Sequence, residues 1–213
     1  MTRPCRKPWF AVALMTAALL VVAGVSPPAR AAKKPSPKAS QGPITFSAIP
    51  WLTPADSTLA LLSARGYKEV RGAGAADMIV CQGRLYDRLA VVRAQLDEKH
   101  RLVHWWISVA AGSDDRYPEM RRVYDDIVAA SVAKYGERWA WAEHYRFPYE
   151  AGDGHEADAL RDGAVRIRSE WRVPGGDALA VEMDRQLGVT LVYECPGWTA
   201  LQARIKAKKA RDL

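Results

Sequence analysis

Acid–base or metal chemistry in this chain would have to turn on four histidines, His100, His104, His144 and His155. His155 and Glu156 follow a glycine-rich stretch, Gly152-Asp153-Gly154, but Ala157, Asp158 and Ala159 bring no second histidine. The pairing of two histidines on one helix face that a zinc protease needs is therefore missing. Asp153, His155, Glu156 and Asp158 have the chemistry to gather a cation, yet no ligand spacing is enforced, and a solvated acidic turn accounts for them. Ser108 and Ser113, with His104 and Asp114, carry neither a nucleophile elbow nor a glycine-rich oxyanion loop. The carboxylate neighbours Asp114-Asp115 and Asp125-Asp126 point in different directions on a helix or its cap. The run Arg71 to Ala76 has two glycines but lacks the third glycine of a dinucleotide fingerprint. No catalytic residue, metal ligand or cofactor site is assigned.

Binding chemistry has better material. His104 and Trp106 fall on one side of a strand whose other side carries Val103, Trp105 and Ile107. Arg166, Arg168 and Arg172 form a row opposite Val165, Ile167, Trp171 and Val173. These five residues, His104, Trp106, Arg166, Arg168 and Arg172, are the candidate binding surface. The competing account is amphipathic side chains that simply cover a sheet.

Several elements must position these residues. Leu59 and Leu62 mark a first helix, capped by Thr53 or Asp56 and ended by Gly66. Strands are expected at Met78–Gln82, Arg88–Leu96 and Arg101–Val109, the last two joined through Asp97-Glu98-Lys99-His100. A second helix follows Asp114 or Asp115, has Pro118 in its first turn and stops at Gly136. Met120, Val123, Tyr124, Ile127, Val128, Ser131 and Tyr135 form its apolar stripe. Period-two alternation then runs through Trp139, Trp141, Tyr145 and Phe147, with Glu143 as an interruption. It continues in Val165–Val173, Leu179–Asp184 and Val189–Cys195, with a turn at Pro174-Gly175-Gly176-Asp177. Such alternation describes an antiparallel sheet with one covered and one wet face. The arginine row is expected to pair with Glu182 and Asp184 across strands. Trp198, Leu201 and Ile205 dock a closing helix. The fold class is α+β, an antiparallel meander with two or three helices packed on one face, and no internal repeat is visible.

The N-terminus reads as an export signal. Arg3, Arg6 and Lys7 precede an apolar run from Trp9 to Val25, Pro27-Pro28 break it, and Ala29-Arg30-Ala31 offers a cleavage site. The run is shorter than the ~20 residues that span a membrane, and retention as an anchor is the alternative. Residues 1–31 are thus a signal peptide, 32–43 a Lys/Pro/Ser spacer, 44–203 one domain and 204–213 a basic tail. The formal charge of +7 is uneven: residues 39–203 hold 19 basic and 23 acidic groups. A mildly acidic body with basic ends excludes nucleic acid as a partner. Beyond the signal only Cys81 and Cys195 remain. In an oxidising compartment they are expected to form a disulfide, with two buried free thiols as the alternative.

The opening Pro50-Trp51-Leu52-Thr53-Pro54-Ala55-Asp56, followed by a helix ending at Gly66-Tyr67, resembles that of uncharacterised exported bacterial domains. The element order is similar to that of β-lactamase-inhibitor-like domains and small outer-membrane assembly lipoproteins. Those carry a lipidated Cys, and no Cys follows the apolar run here. The resemblance implies a binding or assembly role and transfers no residues. The expected function is a periplasmic or secreted non-catalytic domain that binds a protein, peptide or envelope component. The alternative is a small hydrolase of cell-wall or secreted substrates, with His104, His144 or His155 meeting a carboxylate in a cleft.

Overall fold

The computed structural model describes residues 43–112 and 116–211. The expected signal peptide, nearly all of the spacer, and Ser113, Asp114 and Asp115 lie outside them. After a 3-10 turn at Phe46–Ala48 come α1 (Ala55–Ser63), β1 (Lys68–Glu69), β2 (Met78–Leu85), β3 (Arg88–Leu96) and β4 (Leu102–Val109). Then follow α2 (Tyr117–Tyr135), β5 (Ala140–Tyr145), α3 (Glu156–Arg161), β6 (Val165–Arg172), β7 (Ala178–Met183), β8 (Val189–Glu194) and α4 (Trp198–Arg211). The fold is α+β, as its alternating strands require.

All eight strands form one antiparallel sheet in the order β1-β2-β3-β4-β8-β7-β6-β5. Strands β1 to β4 run inward from one edge, β5 to β8 from the other, and the halves meet where β4 pairs with β8. A helix precedes each half, so the topology repeats although the sequence does not. The hairpin turns use the polar residues expected of them. Asp97 accepts hydrogen bonds from the backbone of Lys99 and Arg101, each at 2.9 Å. Asp184 accepts from Gln186 at 2.9 Å and Gly188 at 2.8 Å, which keeps it out of the expected pairing with the arginine row.

One sheet face carries the core. Its cross-strand rows are Ala94, Trp105, Tyr193, Leu179 and Trp171, then Val92, Ile107, Leu191, Val181 and Ser169. All ten are buried. Helix α2 lies over β7 and β8. Its stripe of Met120, Val123, Tyr124, Ile127, Ser131 and Tyr135 is buried as the three-and-four spacing requires. The Arg116 backbone N–H donates to Glu119 at 3.1 Å at its start, and Gly136, at φ 87°, stops it. Ser169, the one polar residue of the second row, shares a 2.8 Å hydrogen bond with the Tyr124 hydroxyl. Phe46 closes one end of the core, edge-on to Trp105 with centroids 5.5 Å apart. Helices α1 and α3 add Leu62, Ala159 and Leu160 to the same cluster.

Three local expectations change. Helix α1 has Pro54 at its N-cap, and the Thr53 hydroxyl donates backward to the Pro50 carbonyl at 2.7 Å. Helix α3 and the two-residue β1 had no sequence counterpart. Glu143 does not break the β5 pattern by accident: it takes a bidentate pair from Arg121 of α2, at 2.6 and 3.0 Å.

The expected Cys81–Cys195 bridge is not formed, and both thiols are free and buried. Cys81 lies on β2, whereas Cys195 follows β8 and donates its N–H to Val103 of β4. Strands β3 and β4 intervene between β2 and β8, roughly 14 Å of sheet at the usual spacing. A disulfide tolerates about 7 Å between Cα atoms at most. Burial pushes both thiol pKa values up to about 11, helped by Glu69 at Cys81 and by Asp177 at Cys195.

Alkylation of the native protein should therefore spare Cys81 and Cys195, and alkylation in denaturant without reductant should modify both. Ile127→Ala on α2 should lower stability by about 2–5 kcal/mol in urea titration. Val132→Ala, on the exposed side of the same helix, should change it by less than about 0.5 kcal/mol.

Candidate binding groove

The face opposite α2 is polar but not fully open. After β8 the chain turns through Pro196-Gly197, with Gly197 at φ 78°, a left-handed conformation that disfavours other residues. This turn sends α4 back across the sheet on the face that α1, α2 and α3 leave bare. Trp198 stacks on His104 with ring centroids 4.4 Å apart and planes 23° from parallel. The helix continues to Arg211, so the basic end expected as a separate tail is drawn on helical backbone as far as that residue.

Between α4 and the sheet lies a groove of about 560 Å³. Met78, Trp106, Val192, Trp198 and Ile205 give it apolar walls; Arg93, Arg168, Asp77 and Glu194 give it charge. The strand register explains the gathering. Arg93, Trp106, Val192, Ala180 and Glu170 form one cross-strand row, and Gln95, His104, Glu194, Ala178 and Arg172 form the next. The alanines of β7 make a low floor beside Trp106, which stays 49% exposed.

The five expected surface residues divide. His104, Trp106 and Arg168 line the groove together. Arg166 lines a different depression, with Arg146, Glu182 and Asp184. Arg172 lies over the Trp139 ring at 4.3 Å. His104 is not open to solvent as expected, because Trp198 covers it. The arginine row is largely an ion-pair ladder. Arg168 donates to Glu170 at 2.6 Å and to Glu182 at 2.7 Å, and Arg166 reaches Glu182 at 3.3 Å. Desolvation at Arg168 is outweighed by these two carboxylates, which hold its pKa above the usual value.

Two groove residues were not singled out from sequence, Arg93 and Glu194. Among the described residues Arg93 makes no ion pair or hydrogen bond, and neither does the Glu194 carboxylate. Burial raises the Glu194 pKa, and Arg172 and Arg168 only partly offset it. The signal that could have found them is local alternation: Arg93 sits between buried Val92 and Ala94 and Glu194 between buried Tyr193 and Cys195, as Trp106 sits between Trp105 and Ile107. What the sequence lacked was the strand order that makes β3, β4 and β8 neighbours.

The histidines do not converge. His104 is on β4, His144 on β5 at the far edge, and His155 caps α3. Ser108 lies four residues along β4 from His104, about 13 Å away. In the α3 loop Asp153 accepts from Glu150 and His155 backbones, and Glu156 accepts from Gly152. These carboxylates hold the turn. Among the described residues no three metal-ligating side chains cluster, and no helix is long and apolar enough to cross a membrane. Comparison with protein families, with curated proteins and with solved structures finds no match.

Burial pushes the His104 pKa down from 6.5 to about 4. Its unfolded form takes up a proton at a higher pH than the folded form. The stability it confers is therefore complete above pH 6.5 and is lost as pH falls toward 4. Glu194, with a raised pKa, acts in the opposite sense. Urea midpoints measured from pH 7 to pH 4.5 should fall for the wild type, and His104→Gln should flatten that fall.

Proposed function

We propose that this chain is an exported, non-catalytic binding domain whose groove between α4 and the sheet takes a peptide segment of an envelope or secreted partner. The carrying observation is the pair Arg93 and Glu194, charges of opposite sign that make no ion pair or side-chain hydrogen bond among the described residues, Arg93 across from exposed Trp106 and Glu194 next along β8 from Val192. Charges left half-desolvated cost stability unless something pairs them. A ligand bearing both an acidic and a basic group, with an apolar part for Trp106 and Trp198, satisfies all of them at once. The volume is within the range of ordinary ligand pockets. Export is supported by the basic front, apolar run and Ala29-Arg30-Ala31 site, and a binding role by the resemblance to exported domains.

The test is titration of short peptides of varied charge into isotopically labelled protein, followed by the indole N–H signals. A binding peptide should shift Trp106 and Trp198 before any other tryptophan. Trp106→Ala should weaken it by about 2 kcal/mol or more. Arg93→Ala should weaken acidic peptides selectively, with circular dichroism unchanged. Binding that ignores both substitutions, or that moves only Trp139 and Trp141, would remove the groove from the account.

A further inference from the structure

Among the described residues β5 ends the sheet, and its edge is unlike a protected one. Edge strands normally carry Lys, Pro or inward charges, or are very short, because their unpaired N–H and C=O groups recruit other strands. The opposite edge follows that rule, since β1 has two residues. Strand β5 has six, Ala140-Trp141-Ala142-Glu143-His144-Tyr145, with no Lys and no Pro. Its one carboxylate is already engaged by Arg121. Trp139 and Trp141 are 60% and 63% exposed, and Phe147 is 96% exposed. The two indoles are held in place: Arg172 sits over Trp139 at 4.3 Å and Arg138 over Trp141 at 5.3 Å. Large aromatics fixed by guanidinium stacking and left facing water are the composition of an interface.

We infer that β5 pairs antiparallel with β5 of a second copy, joining two sheets into one across a two-fold axis. The partner is identified by self-complementarity. In an antiparallel pair alternate residues turn their backbone groups to one neighbour. Arg146, one residue past β5, donates to Ala164 in the register of the β5–β6 ladder, so Ala140, Ala142 and His144 turn theirs to β6, and Trp141, Glu143 and Tyr145 direct theirs outward. With Glu143 at the axis, Trp141 meets Tyr145 of the other copy through these outward groups. The same register sets Trp141 against Tyr145 and Trp139 against Phe147, twice each, covering all three exposed aromatics. Aromatic cross-strand pairs add to such a ladder. The two Glu143 side chains then approach, each neutralised by its own Arg121. Because the other edge is too short to propagate, the assembly closes as an isologous dimer rather than growing. Six residues make a small interface, so association is expected at about micromolar concentration.

Sedimentation velocity of the chain as processed by the cell, over a concentration series, tests this. A reversible monomer–dimer equilibrium is expected. Trp141→Pro deletes an outward N–H that β6 does not use and should raise the dissociation constant about tenfold or more. Trp141→Lys changes only an exposed side chain and should do the same, which guards against misfolding by proline. Trp106→Ala, in the groove, should leave the dimer intact. A monomer throughout the series, or a dimer indifferent to both β5 variants, overturns the inference and leaves this edge for a strand of a different protein.

Discussion

The pairing of β4 with β8 is the constraint on which the rest of the molecule depends. Each half of the sheet is built outward from it, and no other ladder joins the first half of the chain to the second. Its register, His104 opposite Glu194 through Val109 opposite Val189, decides two things at once. On one face it aligns Trp105 with Tyr193 and Ile107 with Leu191, the buried centre beneath Phe46 and α2. On the other it aligns Trp106 with Val192 and His104 with Glu194, the floor of the groove. A slip by one residue would turn one strand over against the other, burying His104 and exposing Trp105, or burying Glu194 and exposing Tyr193. Core and groove are thus a single choice of register.

Charge on the groove face is distributed unevenly, and that unevenness separates structure from recognition. Arg166, Arg168, Glu170 and Glu182 satisfy one another across β6 and β7, so the ladder spends its charge within the sheet. Among the described residues Arg93 and Glu194 do not, and they lie beside the exposed indole of Trp106. The thiols tell a similar story about position. Cys81 and Cys195 share the sheet, but strand order keeps them apart, and each acts as a small buried apolar group.

Much of this fold was legible in the residues. The helical stripe from Met120 to Tyr135 marked α2, and the strict alternation from Val165 to Val173 marked β6 with its faces correctly assigned. Short elements were not legible, since the two residues of β1 and the six of α3 carry too little pattern to show a period. Strand order was not legible either, because alternation states which face a residue occupies and nothing about its lateral neighbours. That gap explains both the disulfide expectation and the silence about Arg93 and Glu194. His104, Trp106 and Arg168 were found because each breaks or punctuates a local pattern. Trp198 was recognised as a docking residue, but only the turn at Gly197 reveals that it docks on the polar face.

Helix α4 lies over the β4–β8 seam, and an aromatic nuclear Overhauser measurement reads this directly. Cross-peaks between the Trp198 indole ring and the His104 imidazole are expected, joined by contacts from Ile205 to groove residues such as Trp106 or Val192. Absence of the Trp198–His104 contacts, or their replacement by contacts to Tyr124 on the α2 face, would contradict it.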